Sequence, residues 1–422
     1  MVNINSLKVK GQKNSLHIIL FAPWYYGHHP TYLGHLIRYW RQQRLLDTLS
    51  IVVMPTFLLE HEDVVALATE QRCQNVKFIA MTKAEQIRLE SVRPSFVKAF
   101  VQYQLMVRYA HQLQATQGLL MHFDSCQLPL VLGLRLPCPF SAIYFRPTLH
   151  YTQFSNYTPT GKERRQHLQE RVFLSRIFAH PQFRTLFCLD PVAVEFINQE
   201  FSGTTKIIHL PDPVERIFPP TSAVRNLKLK LGIEPERKVL LAFGTLADER
   251  KGIRQFLEAL HLIEPKLWEK ICILLVGEPF LGGQATVESW LAPVRQSLPV
   301  QVITQFGYVS ESEIPLYFQL SDVVITPYQK PAGMSGIVLL AAAAKKPILS
   351  SNYGLMGELV KQYSLGIGVD TTILSEIARG LTRLLSEPLT DLCNVEKMKI
   401  FTELNSPQKF ASTIFQNICE DW

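Results

Sequence analysis

At 422 residues the chain exceeds what one ordinary hydrophobic core organises, and it fits two domains of similar size. Apolar residues at 47% and charged residues at 19% exclude a disordered chain, and no apolar run approaches the roughly 20 residues a helix needs to span a bilayer. The formal charge of +7 is uneven, because residues 1–214 hold 22 Lys and Arg against 14 Asp and Glu while the remainder holds 21 against 22.

Eleven of the twelve histidines also lie in the first half, so mild acid is expected to deepen the asymmetry. That half suits an anionic acceptor or an anionic membrane surface, although scattered Lys and Arg that merely aid solubility would give the same count. Nucleic acid is not an expected partner. The seven cysteines, Cys73, Cys126, Cys138, Cys188, Cys272, Cys393 and Cys419, are scattered singly with no close pair that begins a zinc site. A reduced, cytoplasmic chain without a metal is the reading, with Cys126 and Cys138 the one pair that neighbouring strand ends could bring together.

Taken in chain order, the run 17–23 is short, β-branched and closed by Pro23 with no small-residue cleavage site after it, so it predicts a first strand rather than a signal peptide. Further strands are predicted at 50–55, 76–80, 119–123, 141–145, 186–189 and 206–210, and then at 238–243, 271–276, 300–306, 323–326, 347–350 and 365–369. Several are apolar without alternation, as strands buried on both faces are. With helical stretches between them they predict two doubly wound α/β domains of the Rossmann-like type. A helix over 31–46 carries Leu33, Leu36, Ile37 and Trp40 on one face and Arg38, Arg41 and Arg44 on another, a basic face open to solvent, an acceptor or a membrane. Four prolines in 210–226 predict an irregular interdomain linker. The expected division is 1–214, 215–405 and a final helix over 406–422 that needs another surface for Phe410, Ile414, Phe415 and Ile418 and could reach back to the first domain.

Ligands in open α/β sheets bind beyond the carboxyl ends of the strands, so residues that follow strands are the candidates. After 238–243, Gly244 and Thr245 begin a loop that ends in Arg250 and Lys251, cations suited to a diphosphate at a helix start. After 323–326, Gly333, Met334, Ser335 and Gly336 lead into an alanine-rich helix whose free N–H groups and dipole attract an anion. After 300–306, the backbone of Tyr308 and Val309 could lie beside a flat base. In the first half, Gly27 and His28 with His29 follow the first strand and His122 and Asp124 follow the fourth, where imidazole and carboxylate could orient or deprotonate a hydroxyl.

In order and approximate spacing, Phe243-Gly244 with Lys251-Gly252, Leu275-Val276-Gly277, Phe306 to Val309, Ser321 to Val324, Pro327-Tyr328, Gly333 to Gly336, Pro347, and Gly354 with Glu358 resemble the group 1 glycosyltransferases, the retaining family 4 enzymes of the GT-B fold. The resemblance implies a hexosyltransferase that uses a nucleoside-diphosphate sugar as co-substrate, a hydroxyl acceptor such as a glycan, lipid-linked sugar or small molecule, and no further cofactor. It implies Lys251 on the diphosphate, Gly333 to Gly336 donating N–H groups to it, Tyr308 and Val309 beside the base, and His122 facing the transferred sugar. The chain departs from the family in two places. The arginine that precedes the lysine falls at about Thr245, and the two glutamates spaced eight apart fall at about Ala332 and Leu340, with no carboxylate anywhere from Val323 to Gly357. That departure keeps open a protein of the same fold that binds a nucleotide or glycan without turnover or serves as partner subunit of an active enzyme; a nucleotide-sugar epimerase ranks below it for want of paired carboxylates.

Overall fold

The computed structural model describes residues 16–69, 75–279 and 282–420. Cys73 and residues 421–422 lie outside the described residues. Seven parallel strands form the first sheet: β1 (His17–Ala22), β2 (Thr48–Val53), β3 (Val76–Ala80), β4 (Gln117–Leu120), β5 (Phe140–Tyr144), β6 (Phe183–Cys188) and β7 (Lys206–His209). Six more form the second: β8 (Lys238–Phe243), β9 (Ile271–Gly277), β10 (Gln301–Phe306), β11 (Val323–Thr326), β12 (Ile348–Ser351) and β13 (Gly366–Val369). Every predicted strand is present, with ends shifted by a few residues, because the apolar runs that marked them are buried on both sides. Along β1, Ile19 and Phe21 enter one core while Ile18, Leu20 and Ala22 enter the other; along β8, Val239 and Leu241 oppose Leu240 and Ala242 in the same way.

Strand order is β3-β2-β1-β4-β5-β6-β7 in the first sheet and β10-β9-β8-β11-β12-β13 in the second. In each, the order reverses between the first strand and the fourth, which are direct neighbours: Phe21 pairs with Leu120, and Leu241 with Val324. Chains leaving two adjacent strands in opposite directions open a crevice at the carboxyl end, and that is where an α/β sheet takes its ligand.

Two sequence expectations change. The helix placed at 31–46 runs His29–Gln42 and is buried almost all round, covered by the helices Glu62–Thr69 and Pro407–Glu420. Two of its arginines are engaged within the fold, Arg38 beside Glu215 at 3.6 Å and Arg41 on the Leu67 carbonyl at 2.9 Å, while Arg44 lies beyond the helix end and is exposed. The linker is irregular only to Pro220, after which Thr221–Lys230 is helical, since a proline just before a helix costs it no hydrogen bond. Cys126 and Cys138 are unbridged.

The helix Pro407–Glu420 lies on His29–Gln42, its Phe410 ring 4.7 Å from Tyr32 and its Phe415 ring 5.0 Å from Trp40. A segment also crosses the other way. Tyr151 and Phe154, from the loop after β5, are buried in the core of the second lobe. Among the described residues no helix is long and apolar enough to cross a membrane.

Candidate functional site

The four strands at the two reversal points carry nearly all the candidate residues. Gly27 and His28 follow β1, His122 and Asp124 follow β4, Gly244 to Lys251 follow β8, and Gly333 to Gly336 follow β11. Tyr308 and Val309 follow β10 at the sheet edge, Tyr308 73% exposed and Val309 half-buried against the core.

On the second lobe, Lys251 ends a short 3-10 turn (Glu249–Lys251) whose next residue, Gly252, is left-handed with φ 66°. A side chain there would place its Cβ 1.9 Å from the Pro327 carbonyl oxygen, so only glycine lets this turn seat against the loop after β11. The seating puts Lys251 Nζ 4.0 Å from the centre of the Tyr328 ring. Tyr328 in turn accepts a hydrogen bond from Ser335 Oγ at 3.2 Å, and Ser335 caps the helix Gly336–Ala343 by accepting the Ile337 N–H at 3.3 Å. Tyr328 therefore ties the cation to the helix start. The N–H groups of Met334, Ser335 and Gly336 have no partner among the described residues, while that of Gly333 is taken by Tyr151. The space over Gly244, φ 108°, is open, with Thr245 half-buried beside it.

Arg250 does not join Lys251. Its guanidinium folds back on Asp248, Nε to Oδ1 at 3.1 Å and Nη2 to Oδ2 at 2.6 Å, because a carboxylate two residues away on the same turn is the nearest counter-charge. The pairing of Arg250 with Lys251 as a phosphate clamp is thus not what the fold builds.

On the first lobe, the rings of His29, His122 and Phe145 form a stack, with His122 5.0 Å from Phe145 and 5.8 Å from His29. Burial, reinforced by His122, pulls His29 down to about 3. Burial is also the main cause holding His122 below the ordinary histidine value, against the pull of Asp124. Both Nδ1 atoms are buried without a partner among the described residues, and His29 stands beside His122. Asp124 is committed elsewhere: its Oδ2 accepts the Phe145 N–H at 3.0 Å and its Oδ1 the Arg146 N–H at 3.1 Å. It holds the loop after β5 rather than presenting a free base. Among the described residues no three His, Cys, Asp or Glu side chains come together to hold a metal ion.

The two lobes meet directly here. The exposed His28 ring stands over Gly336, its Cε1 3.6 Å from where a Cβ would be, and Thr31 donates to Glu311 at 2.5 Å. Tyr151 enters the second lobe: its hydroxyl accepts the Gly333 N–H at 2.6 Å and donates to the Pro331 carbonyl at 3.4 Å, while its ring lies against Gly354. Tyr151 and Arg146 were not singled out from sequence, and Tyr328 stood there only in the family series, without a role. Tyr328 had a signal, its place two residues after a strand; Tyr151 sits in a loop with no pattern, its partner 182 positions away. Cavities of about 540 and 610 Å³ lie at the linker and along the helix Gly161–Phe178, away from this meeting point.

The family model described as glycosyl transferases group 1 matches residues 224–402. An uncharacterized glycosyltransferase of Methanocaldococcus jannaschii is 28% identical over 164 residues, 38% of this chain and 39% of that protein, so the match spans well under half of the relative. Over nearly the whole chain, the fold is that of the sucrose-phosphate synthase of Thermosynechococcus elongatus, with TM-score 0.69, 13% identity and coverage of 96% of this chain and 98% of that one. The Anabaena protein HepE, solved with UDP and glucose, superposes with TM-score 0.61, 16% identity and coverage of 96% and 99%. The chain thus has two facing doubly wound lobes in the GT-B arrangement of these solved structures, and residues 224–402, within the second lobe, match the group 1 glycosyl transferases.

Proposed function

We propose that this chain moves a hexose from a nucleoside-diphosphate sugar to a hydroxyl acceptor, with retention at the anomeric carbon, the second lobe holding the donor and the first the acceptor. The observation that carries the reading is the convergence of Lys251 and the Ser335-capped helix start through Tyr328, directly under His28 of the other lobe. As the sugar–phosphate bond breaks, charge collects on the leaving diphosphate. A lysine and unpartnered amides at the positive end of a helix stabilise that charge most when it is fully developed, which lowers the barrier without a metal. His122, neutral and half-buried, is placed to orient or accept the proton of the acceptor hydroxyl. Tyr308 and Val309 would flank the base. Six unbridged cysteines among the described residues suit a reducing cytoplasm.

A panel of nucleotide sugars, assayed for hydrolysis and transfer, tests this. Lys251→Ala is expected to lower kcat/KM about a hundredfold or more; rates equal to wild type remove Lys251 from the reaction. The absence of any carboxylate from Val323 to Gly357 favours one other reading, a protein that binds nucleotide without turnover. Nucleoside-diphosphate binding with no turnover across the panel would select it.

A further inference from the structure

Arg146 is the second residue after β5 and is held more firmly than a loop arginine requires. Asp124 takes its N–H and that of Phe145, Pro147 follows and restricts it to extended backbone, and Glu170 fixes the next turn by accepting the Thr148 N–H at 3.0 Å and the Thr148 hydroxyl at 2.6 Å. Its neighbour Phe145 stacks on His122 at 5.0 Å and places its carbonyl oxygen 3.4 Å from where a Cβ on Gly333 would be. Arg146 thus projects from the seam between the acceptor-side histidine and the donor loop. Its side chain is exposed and has no carboxylate partner among the described residues, which it shares with other surface arginines such as Arg164 and Arg184; what sets it apart is its held backbone and its place at the seam. Asp124, close in the fold, spends both oxygens on backbone N–H groups. A carboxylate is being used to aim an arginine without pairing with it.

We propose that Arg146 forms an anion subsite on the acceptor side of the cleft and reads a phosphate group carried by the acceptor. This rests on the glycosyltransferase reading above and adds the acceptor's chemical class. The planar guanidinium offers parallel N–H donors that match phosphate oxygens. Neither neighbouring histidine competes for the role, since both are held neutral by burial. The excess of 22 cationic over 14 acidic residues in the first half points the same way. The phosphate can come from a soluble sugar phosphate or from a lipid-linked one, and Arg146 would meet the same group in each.

The test uses the full chain saturated with UDP, with Lys251→Ala as a control for binding at the donor site. Glucose 6-phosphate, glucose and inorganic phosphate are titrated by calorimetry, and vesicles of phosphatidylcholine with and without phosphatidic acid are sedimented with the protein. Wild type is expected to bind glucose 6-phosphate about tenfold or more tightly than glucose, or vesicles with phosphatidic acid, whose phosphate is an uncapped monoester, about tenfold or more tightly than phosphatidylcholine alone, whose phosphate is capped by choline. Arg146→Ala should abolish that preference, Arg146→Lys should keep only part of it, and UDP affinity should stay within about twofold of wild type. Loss confined to glucose 6-phosphate assigns a soluble acceptor, and loss confined to the vesicles a lipid-linked one; both uphold the subsite. The proposal is overturned if Arg146→Ala matches wild type toward every phosphate probe, or if it weakens UDP alone. Failure of wild type to bind UDP, GDP or ADP would instead sink the transferase reading, leaving Arg146 to be judged on the phosphate probes.

Discussion

Asp124 shows how one side chain can be read in two ways. A carboxylate two residues beyond a strand end, beside a histidine, is what a general base looks like in one dimension. In the fold its two oxygens are acceptors for the Phe145 and Arg146 N–H groups, so its contribution is to geometry. Asp124→Asn keeps the shape but turns one acceptor into a donor facing an N–H. The expected cost is about 1–3 kcal/mol in denaturant stability, together with weaker phosphate binding, because Arg146 loses its support. An unchanged unfolding midpoint would show that the loop does not depend on this carboxylate. Arg250 is likewise held by a counter-charge two residues away on its own turn. Lys251 was recognisable from sequence because its loop is contiguous. Its contact with Tyr328 was not, because that contact depends on two loops meeting.

Among the elements, the loop after β5 does most to join the lobes. Tyr151 seals the turn Pro331–Gly333 with its hydroxyl and lies over Gly354, which has φ 58° and would place a Cβ 2.6 Å from the Tyr151 ring. Tyr151→Phe keeps the ring and loses both hydrogen bonds. Gly354→Ala strains the backbone and pushes the ring out. Each is expected to loosen the donor loop and raise the nucleotide KM several-fold, and the double variant should cost less than the sum, since both act on one contact. Spin labels on the two lobes should report a broader inter-lobe distance in each variant. A wild-type distance distribution in Tyr151→Phe would show that the hydroxyl does not hold the lobes together. A linear division at residue 214 places Tyr151 with the first lobe by chain order, yet its packing belongs to the second.

For the whole molecule, the histidine-rich first half behaves differently from a plain charge count. His29 and His35 are buried, and burial lowers them to about 3 and about 4; for His35 the half-exposed Glu215 at 3.5 Å does not offset this. They therefore stay neutral in mild acid and do not deepen the positive asymmetry. The consequence is for stability. Their folded pKa values lie below the unfolded 6.5, so the unfolded chain takes up protons first. Stability is complete well above about pH 6.5 and is lost as the pH falls toward about 4 for His35 and about 3 for His29, by roughly 2 kcal/mol per histidine at pH 5. Denaturant midpoints measured from pH 7 to 5 should fall, and the fall should be smaller in a His29→Gln, His35→Gln variant. Parallel curves for the two proteins would show that other groups carry the pH dependence.

The sequence by itself determined the thirteen strands among the described residues and the donor-side loops, because doubly buried strands read as apolar runs and the motifs at 243–252 and 327–336 are contiguous. Only the tertiary structure decided which loops share the cleft, since strand order and not chain order sets the reversal points. It alone assigned Asp124 to Arg146 and Tyr151 to Gly333, pairs 22 and 182 positions apart. Hydrogen bonds over such separations leave no local period in the sequence; they exist because two sheets, each folded by its own apolar strands, present their carboxyl ends to one another.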